Sequence, residues 1–336
     1  MIDFILLNSV SDFSFEKLKA LHPEATVSIN GRSGTETLKY TEKKMRVKTV
    51  FDRKRECCVT SVAGSLHRYH TRQSYSSFPF SSVAPALEFL CKNCDINMEN
   101  DNWFYKIEIG VNLHMNCDPD DYLSMFKLYK GKPFVVMKTL DGENRPHGIE
   151  RKMTEDYYRI KIYNKTIYAR TVEKHSPPEN ILRVEVAFHA SGISKLGLPN
   201  TMDALTDRER FQMYVDKFRE IVYGIAMVDY APDISGLTGK DLRDYYFMHR
   251  NQRVYAEYLS KIEGDKKRLA AERKKYDRIN TLLASSVDLK SEFFEKFEAE
   301  IEHLMTARYH KPLYPRTPRM PYKPAGRKRA PIRTIR

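Results

Sequence analysis

The sequence predicts an α+β fold: an antiparallel sheet with helices on one face, of the nickase-like kind, followed by a helical region and a disordered basic tail. Three observations lead there. Apolar and polar residues alternate with period two at 107–115, 157–165 and 181–189. From about Thr206 the apolar period lengthens to 3.6 residues. Beyond residue 307 the chain carries cations and prolines and no acid.

Along the chain, residues 1–60 alternate short apolar runs with polar punctuation such as Ser28-Ile-Asn-Gly-Arg-Ser-Gly34, which predicts strands and a hairpin. Ser82–Lys92 and Pro119–Tyr129 read as helices. In the first alternating segment Ile107, Ile109, Val111 and Leu113 share one strand face, and Glu108, Gly110, Asn112 and His114 share the other. In the second, Tyr157, Arg159, Lys161, Tyr163 and Lys165 oppose Tyr158, Ile160 and Ile162. In the third, Leu182, Val184, Val186 and Phe188 point inward, and Arg183, Glu185 and His189 lie on the polar face. A sheet with one ionisable face follows. Phe211, Tyr214, Phe218, Ile221, Val222 and Ile225 then form a helical stripe, and Leu289, Phe293, Phe297, Ile301 and Met305 form a second. Thr238-Gly-Lys-Asp241 has the look of a helix cap, and Lys261–Arg278, with eight basic and four acidic residues, reads as a solvated helix. The division predicted is residues 1–205 for the α+β domain, 206–307 for the helical domain and 308–336 for the tail.

The 336 residues hold 57 Lys and Arg against 44 Asp and Glu, a net charge of +13. Ten of the cations and six of the 16 prolines lie in 308–336, so only +3 belongs to residues 1–307. Such a tail cannot bury enough apolar surface to offset its ordering entropy, and it suits polyanions, nucleic acid before anionic membrane, with plain solubilisation as the alternative. Arg316, Arg319, Arg327, Lys328 and Arg329 are its candidate DNA contacts, with Arg183 on the sheet as a further one. No apolar run is long enough for a membrane span and no basic region precedes the first apolar stretch, which predicts a cytoplasmic protein. Five cysteines are few and odd in number, which points to a reducing compartment. Cys91-Lys-Asn-Cys94 has zinc-knuckle spacing, but no second pair completes a four-ligand site, so buried free thiols are expected.

Phosphate-loop, nucleophile-elbow, dinucleotide-binding and zinc-protease signatures are absent from the sequence. What remains is a set of Tyr, Lys, Glu and His on neighbouring strands. A phenol with a pKa of about 10 is a poor nucleophile at neutral pH unless cations favour its phenolate, and Lys161 and Lys165 flank Tyr163. A divalent ion held by Glu108 or Glu185 with His67, His70 or His114 would polarise a phosphodiester. Alternatively Tyr163 packs, Glu108 pairs with a lysine across the sheet and the histidines are satisfied locally. Tyr157 and Tyr158 compete with Tyr163 for the nucleophile's position.

Met1-Ile-Asp, Gly64-Ser-Leu-His-Arg-Tyr-His70, Ile107-Glu-Ile-Gly-Val-Asn112, Lys161-Ile-Tyr-Asn-Lys165, Ile181-Leu-Arg-Val-Glu185 and Leu196-Gly-Leu-Pro-Asn-Thr-Met-Asp-Ala-Leu205 occur in that order. Together they resemble phage and plasmid replication proteins of the filamentous-phage gene II/X type. A looser likeness extends to Leu237-Thr-Gly-Lys-Asp-Leu242. The resemblance implies a rolling-circle replication initiator that nicks and religates single-stranded DNA through a 5′-phosphotyrosine. It makes Tyr163 the nucleophile, followed by Lys165, and aligns Glu108, Arg183 and Glu185 with the family's acidic and Arg-hydrophobic-Glu blocks. It implies Mg²⁺ or Mn²⁺ as cofactor, and origin DNA, single-stranded or supercoiled, with host helicase and polymerase as partners in a bacterial cytoplasm. The chain departs from the pattern at Gln73-Ser74, where relatives carry His-Asn, and it contains no His-x-His. The reading from another class is a non-catalytic DNA- or RNA-binding protein that kept the fold, and a third is a structural or regulatory partner.

Overall fold

The structure is a computed structural model that describes residues 1–309 apart from 12, 53–55, 100, 139–143, 153–156, 228–233, 235, 251 and 283–288. The tail candidates Arg316, Arg319, Arg327, Lys328 and Arg329 lie outside the described residues. The strands are β1 (Ile2–Ser11), β2 (Thr26–Ile29), β3 (Glu36–Glu42), β4 (Met45–Asp52), β5 (Cys57–Ser65), β6 (Asn102–His114), β7 (Phe126–Tyr129), β8 (Lys132–Pro133), β9 (Val135–Lys138), β10 (Asn144–Lys152), β11 (Tyr158–Asn164), β12 (Ile181–His189) and β13 (Ile225–Met227). The helices are α1 (Phe15–Leu21), α2 (Leu66–Thr71), α3 (Val83–Asn93), α4 (Pro119–Leu123), α5 (Lys165–Tyr168), α6 (Ala190–Lys195), α7 (Asp203–Thr206), α8 (Arg208–Tyr223), α9 (Gly239–Tyr245), α10 (Gln252–Lys261), α11 (Lys266–Leu282) and α12 (Leu289–Thr306). No helix among the described residues is long and apolar enough to cross a membrane.

Ten strands form one antiparallel sheet in the order β2-β3-β4-β5-β1-β6-β12-β11-β10-β9, and β13, β7 and β8 form a small second sheet. The alternation seen in the sequence sets the faces. Ile107, Ile109, Val111, Leu113, Ile160, Ile162, Leu182, Val184, Val186 and Phe188 all enter one hydrophobic core. Helices α3, α8 and α12 pack into that same core through Leu87 and Leu90, through Phe211, Phe218 and Val222, and through Phe293, Phe297 and Ile301. A separate cluster around Tyr245, Met248, Tyr255 and Ile279 joins α9, α10 and α11.

Two elements differ from the sequence reading. The helix expected over Pro119–Tyr129 stops at Leu123, and Phe126–Tyr129 is strand β7. Phe126 and Tyr129, three residues apart, find β partners in Met227 and Ile225 of β13, and Phe126 packs edge-on against Phe293 at 5.2 Å, so tertiary pairing overrides the local pattern. The solvated helix at Lys261–Arg278 is broken: α10 ends at Lys261, and Asp265 lies immediately before α11 and accepts from Arg268 N. One face of α11 is docked, with Ile279 buried, Lys275 3.2 Å from Asp244 and Arg278 paired with Asp241.

Candidate functional site

The polar face of the central strands is closed over rather than solvated. Glu108, Asn112, Tyr163, Arg183 and Glu185 are all buried. In the strand register Tyr163, Arg183 and Asn112 form one cross-strand row, and Lys161, Glu185 and Gly110 form the next. A side chain at Gly110 would crowd this row. A Cβ there would lie 2.9 Å from Glu185 Cγ, 3.0 Å from Val184 O and 3.2 Å from Arg183 Nη2, so the missing side chain is the space into which the Arg183–Glu185 pair folds.

Tyr163 Oη donates to Glu185 Oε1 at 2.8 Å. Arg183 Nε donates to the same oxygen, and Lys161 Nζ bridges Glu185 and Glu108. Arg183 also reaches Asp3 Oδ2 at 3.2 Å and Asn112 Oδ1 at 2.6 Å, and Lys106 Nζ lies 2.9 Å from Glu108 Oε2. Carboxylate oxygens of Asp3, Glu108 and Glu185 fall within 4.8 Å of one another.

Asp3 was not singled out in the sequence, and the register explains why. Ile2 pairs with Ile109 and Phe4 with Glu108, so Asp3 is the extra residue of a β-bulge that breaks the period of two and aims its carboxylate into the site. Ser65 holds it there: its hydroxyl donates to Asp3 Oδ1 at 2.8 Å while accepting from Arg68 N as the cap of α2. The Gly64-Ser-Leu-His-Arg block is therefore a strand end and helix cap that fixes a carboxylate.

Beside this cluster lies a second one. Asn164 caps α5 by accepting from Ile167 N, which places Lys165 in the first turn. Lys165 Nζ donates to Ser74 Oγ and to Glu173 Oε1, each at 2.8 Å, and Ser74 Oγ donates to Glu173 Oε1 at 2.6 Å. Arg68 pairs with the same Glu173 oxygen. Ser74 O accepts from Arg183 Nη1 and Asn112 Nδ2, each at 3.2 Å, so one residue stitches the two clusters together. Glu173 sits in a π-helical turn, Ala169–Glu173, whose irregular pitch hid it from any periodicity.

Of the sequence candidates, Tyr163, Lys161, Glu108, Glu185 and Arg183 meet in one constellation, and Lys165 lies in the neighbouring one. The histidines stand apart from the carboxylates. His67 Nε2 lies 3.2 Å from Ser76 Oγ with its ring stacked on Phe78, His70 packs against Phe78 and Tyr309, and His114 is exposed at the end of β6. Burial lowers the pKa of both His67 and His70, keeping them neutral. Tyr158 faces the core and shares a 2.8 Å hydrogen bond with Tyr129, which removes it from the polar face. Cys91 and Cys94 are buried free thiols, and burial pushes Cys91 up to about 12.

The electrostatics separate the groups. Burial, then Glu185, push the Tyr163 phenol well above its ordinary value. The two lysines expected to favour phenolate are turned elsewhere: Lys161 to the carboxylates and Lys165 to Glu173, 6.0 Å from the Tyr163 ring centroid. Burial opposes ionisation of Glu185, yet Lys161 and Arg183 outweigh it and hold that carboxyl well below its usual range. Burial raises Glu108, with Lys161 opposing. The pair thus divides into an ionised Glu185 and a more readily protonated Glu108. In this arrangement Glu185 orients the phenol but, with its own pKa depressed and the phenol's raised, is a weak base toward it, and a further positive charge at the phenol oxygen is needed before the proton can pass.

No protein-family model matches the chain, and no curated protein matches it. Among solved structures the chain is similar to a rolling circle replication initiator protein from Geobacillus stearothermophilus, with a TM-score of 0.39 and 10% identity over 71% of this chain and 89% of that chain.

Proposed function

We propose that the chain is a replication initiator that nicks and rejoins single-stranded DNA, with Tyr163 as the nucleophile. The observation that carries this reading is the buried Tyr163–Glu185–Arg183 constellation beside two further carboxylates, in the places where the sequence resembles the gene II/X type. Tyr163 Oη would attack the scissile phosphorus, and its proton would pass to Glu185. The bond from phosphorus to the 3′ oxygen would break, the departing oxygen taking a proton from water while Glu185 returns its own to solvent, leaving a 3′-OH and a 5′-phosphotyrosine. The retained phosphodiester energy allows a second transfer to close the strand without a nucleotide cofactor. Arg183, held by Asp3, Asn112 and Ser74 O, keeps Glu185 ionised and positioned.

Three mutually close carboxylates are hard oxygen donors of the kind that suits Mg²⁺ or Mn²⁺, so Asp3, Glu108 and Glu185 fit such an ion. Bound there, it would supply charge that favours phenolate and offsets phosphate. Lys161 already bridges two of these carboxylates, so ion binding goes with movement of its ammonium. The same neutralised network also supports a second reading, a DNA-binding protein without nicking activity. In either case the cationic residues of 308–336 are proposed to bind DNA backbone, and a place in a bacterial cytoplasm with host helicase and polymerase belongs to the first reading. Incubation of the protein with labelled origin oligonucleotides and Mg²⁺ or Mn²⁺ separates the two. A detergent-stable adduct, lost in Tyr163→Phe, supports the initiator; tight binding without adduct supports the second reading.

A further inference from the structure

The polar sheet face does not end at the candidate site. It continues across β1, β5, β4 and β3 to the far edge, and there it lies open. Cross-strand partners share a face, so the register draws two rows. Lys106, Leu6, Ala63, Arg46 and Thr41 form one. Trp103, Asn8, Ser61, Lys48, Lys39 and Thr26 form the other. The opposite face of these strands is occupied, with Leu7, Leu38, Met45, Val47 and Val62 buried. On the open face the rows floor a shallow groove of about 640 Å³.

Its charge is one-sided. Lys39, Arg46 and Lys48 are exposed, and none has an ion-pair or hydrogen-bond partner among the described residues. Lys39 and Lys48 stand directly opposite each other across β3 and β4, a like-charge pair that costs stability when nothing anionic lies on it. Glu24, at the groove's edge, sits 3.5 Å from His22. Lys106 links groove and site, with its ammonium 2.9 Å from Glu108 and 4.4 Å from the Phe4 ring centroid. Aromatic surface borders the same strip: Trp103 is half-buried, and Tyr105, at a register shift in β6, is 52% exposed.

We infer that this groove is the track on which a single-stranded DNA segment lies as it enters the site, with Lys39, Arg46 and Lys48 on its phosphates and Trp103 and Tyr105 against its bases. Unpaired cations at one end of a strip and aromatic rings at the other suit a single strand, whose bases are free to stack; a duplex keeps its base faces stacked and offers only phosphates. From Glu108 the strip reaches Lys48 three strand spacings across the sheet and four residues along it, roughly 20 Å in all, a span that a single strand of a few nucleotides covers. The inference rests on the proposed function for its choice of DNA, and it concerns binding rather than chemistry.

Trp103 is the single tryptophan, so its emission reports this strip. The full chain is titrated in EDTA with a 20-residue oligothymidylate, following Trp103 emission and the anisotropy of a labelled strand. The combined variant Lys39→Ala, Arg46→Ala, Lys48→Ala should bind at least tenfold more weakly, with the log–log salt slope shallower by about 2, at roughly 0.7 per phosphate contact. Trp103 quenching should appear in the parent protein and fade in the variant. The control Lys266→Ala, Lys267→Ala, Lys274→Ala removes the same charge from exposed positions of α11 and should keep the parent slope. Unchanged affinity and slope in the groove variant, equal loss in the α11 control, or stronger binding of a duplex or RNA of the same length would each overturn the inference. Adduct formation at Tyr163 is scored separately. An adduct with an unaltered groove variant refutes the track alone, and groove-dependent quenching without an adduct refutes the nicking reading alone.

Discussion

Replacing Glu173 with Gln tests whether the second cluster is held by charge. In the folded protein one carboxylate oxygen takes Lys165 Nζ at 2.8 Å, Ser74 Oγ at 2.6 Å and Arg68. The side chains of Lys165 and Glu173 are each 2% exposed. Glu173→Gln preserves shape and one acceptor but leaves the Lys165 ammonium buried without a counter-charge. Breaking such a pair from one side costs about 3–5 kcal/mol, and the retained amide acceptor places this case near the low end, about 3 kcal/mol. At roughly 2 °C per kcal/mol for a chain of this size, Tm should fall by about 6 °C at pH 7. Burial opposes ionisation of Glu173, but Lys165, Ser74 and Arg68 prevail and hold its carboxyl below the ordinary value of 4.5. A carboxyl depressed in the folded state stabilises fully above its unfolded pKa and loses that contribution as pH falls through the folded one. The gap between parent and variant should therefore be full at pH 7 and shrink steadily below about pH 4.5. Urea unfolding followed by Trp103 fluorescence at a series of pH values measures it. A gap under about 1 kcal/mol at pH 7, or one that stays constant into acid, would refute the charge argument.

Gly110→Ala should leave the sheet folded at a cost of about 1–3 kcal/mol from overpacking, while nicking falls at least tenfold because the Arg183–Glu185 pair is displaced; thermal melts and adduct yield check both. Tyr158→Phe should keep full adduct yield and lose about 1 kcal/mol with its bond to Tyr129, a combination that loss of activity would contradict. With Ellman's reagent at pH 8 the native protein should label Cys57 and Cys117 ahead of buried Cys58, Cys91 and Cys94. Stoichiometric zinc in the purified protein would contradict the free-thiol assignment of Cys91 and Cys94.

The sequence made the central strands legible because their inward faces are unbroken runs of Ile, Val and Leu at period two. That regularity also fixed Glu108, Lys161, Tyr163, Arg183 and Glu185 to the polar face. It could not show that the face is buried, since closure comes from Ser74 and Glu173, residues distant in sequence that bond across it. Ser74 falls where the chain departs from the gene II/X-type pattern it resembles, and its place is set by two strands, the helix α5 and the π turn at once. Asp3 was hidden by a bulge, and Glu173 by a π turn. The Lys106–Glu108 contact is the kind of lysine pairing that local charge patterning suggests, but the bridge from Lys161 to both carboxylates needs the register of β6, β12 and β11 together. Strand β7 was misread as helix because its partner β13 lies about a hundred residues on.

In the proposed reaction one hydroxyl, that of Tyr163, becomes covalently joined to DNA. Tyr168 provides the internal comparison, since its ring lies 5.3 Å from that of Tyr163 and is more exposed. The direct measurement is mass spectrometry of the proteolysed adduct formed with an origin oligonucleotide and Mn²⁺. A nucleotide remnant is expected on the peptide bearing Tyr163, linked through a 5′ phosphate, with no adduct from Tyr163→Phe. A remnant on Tyr168 or Tyr157, or an undiminished adduct from Tyr163→Phe, would contradict it.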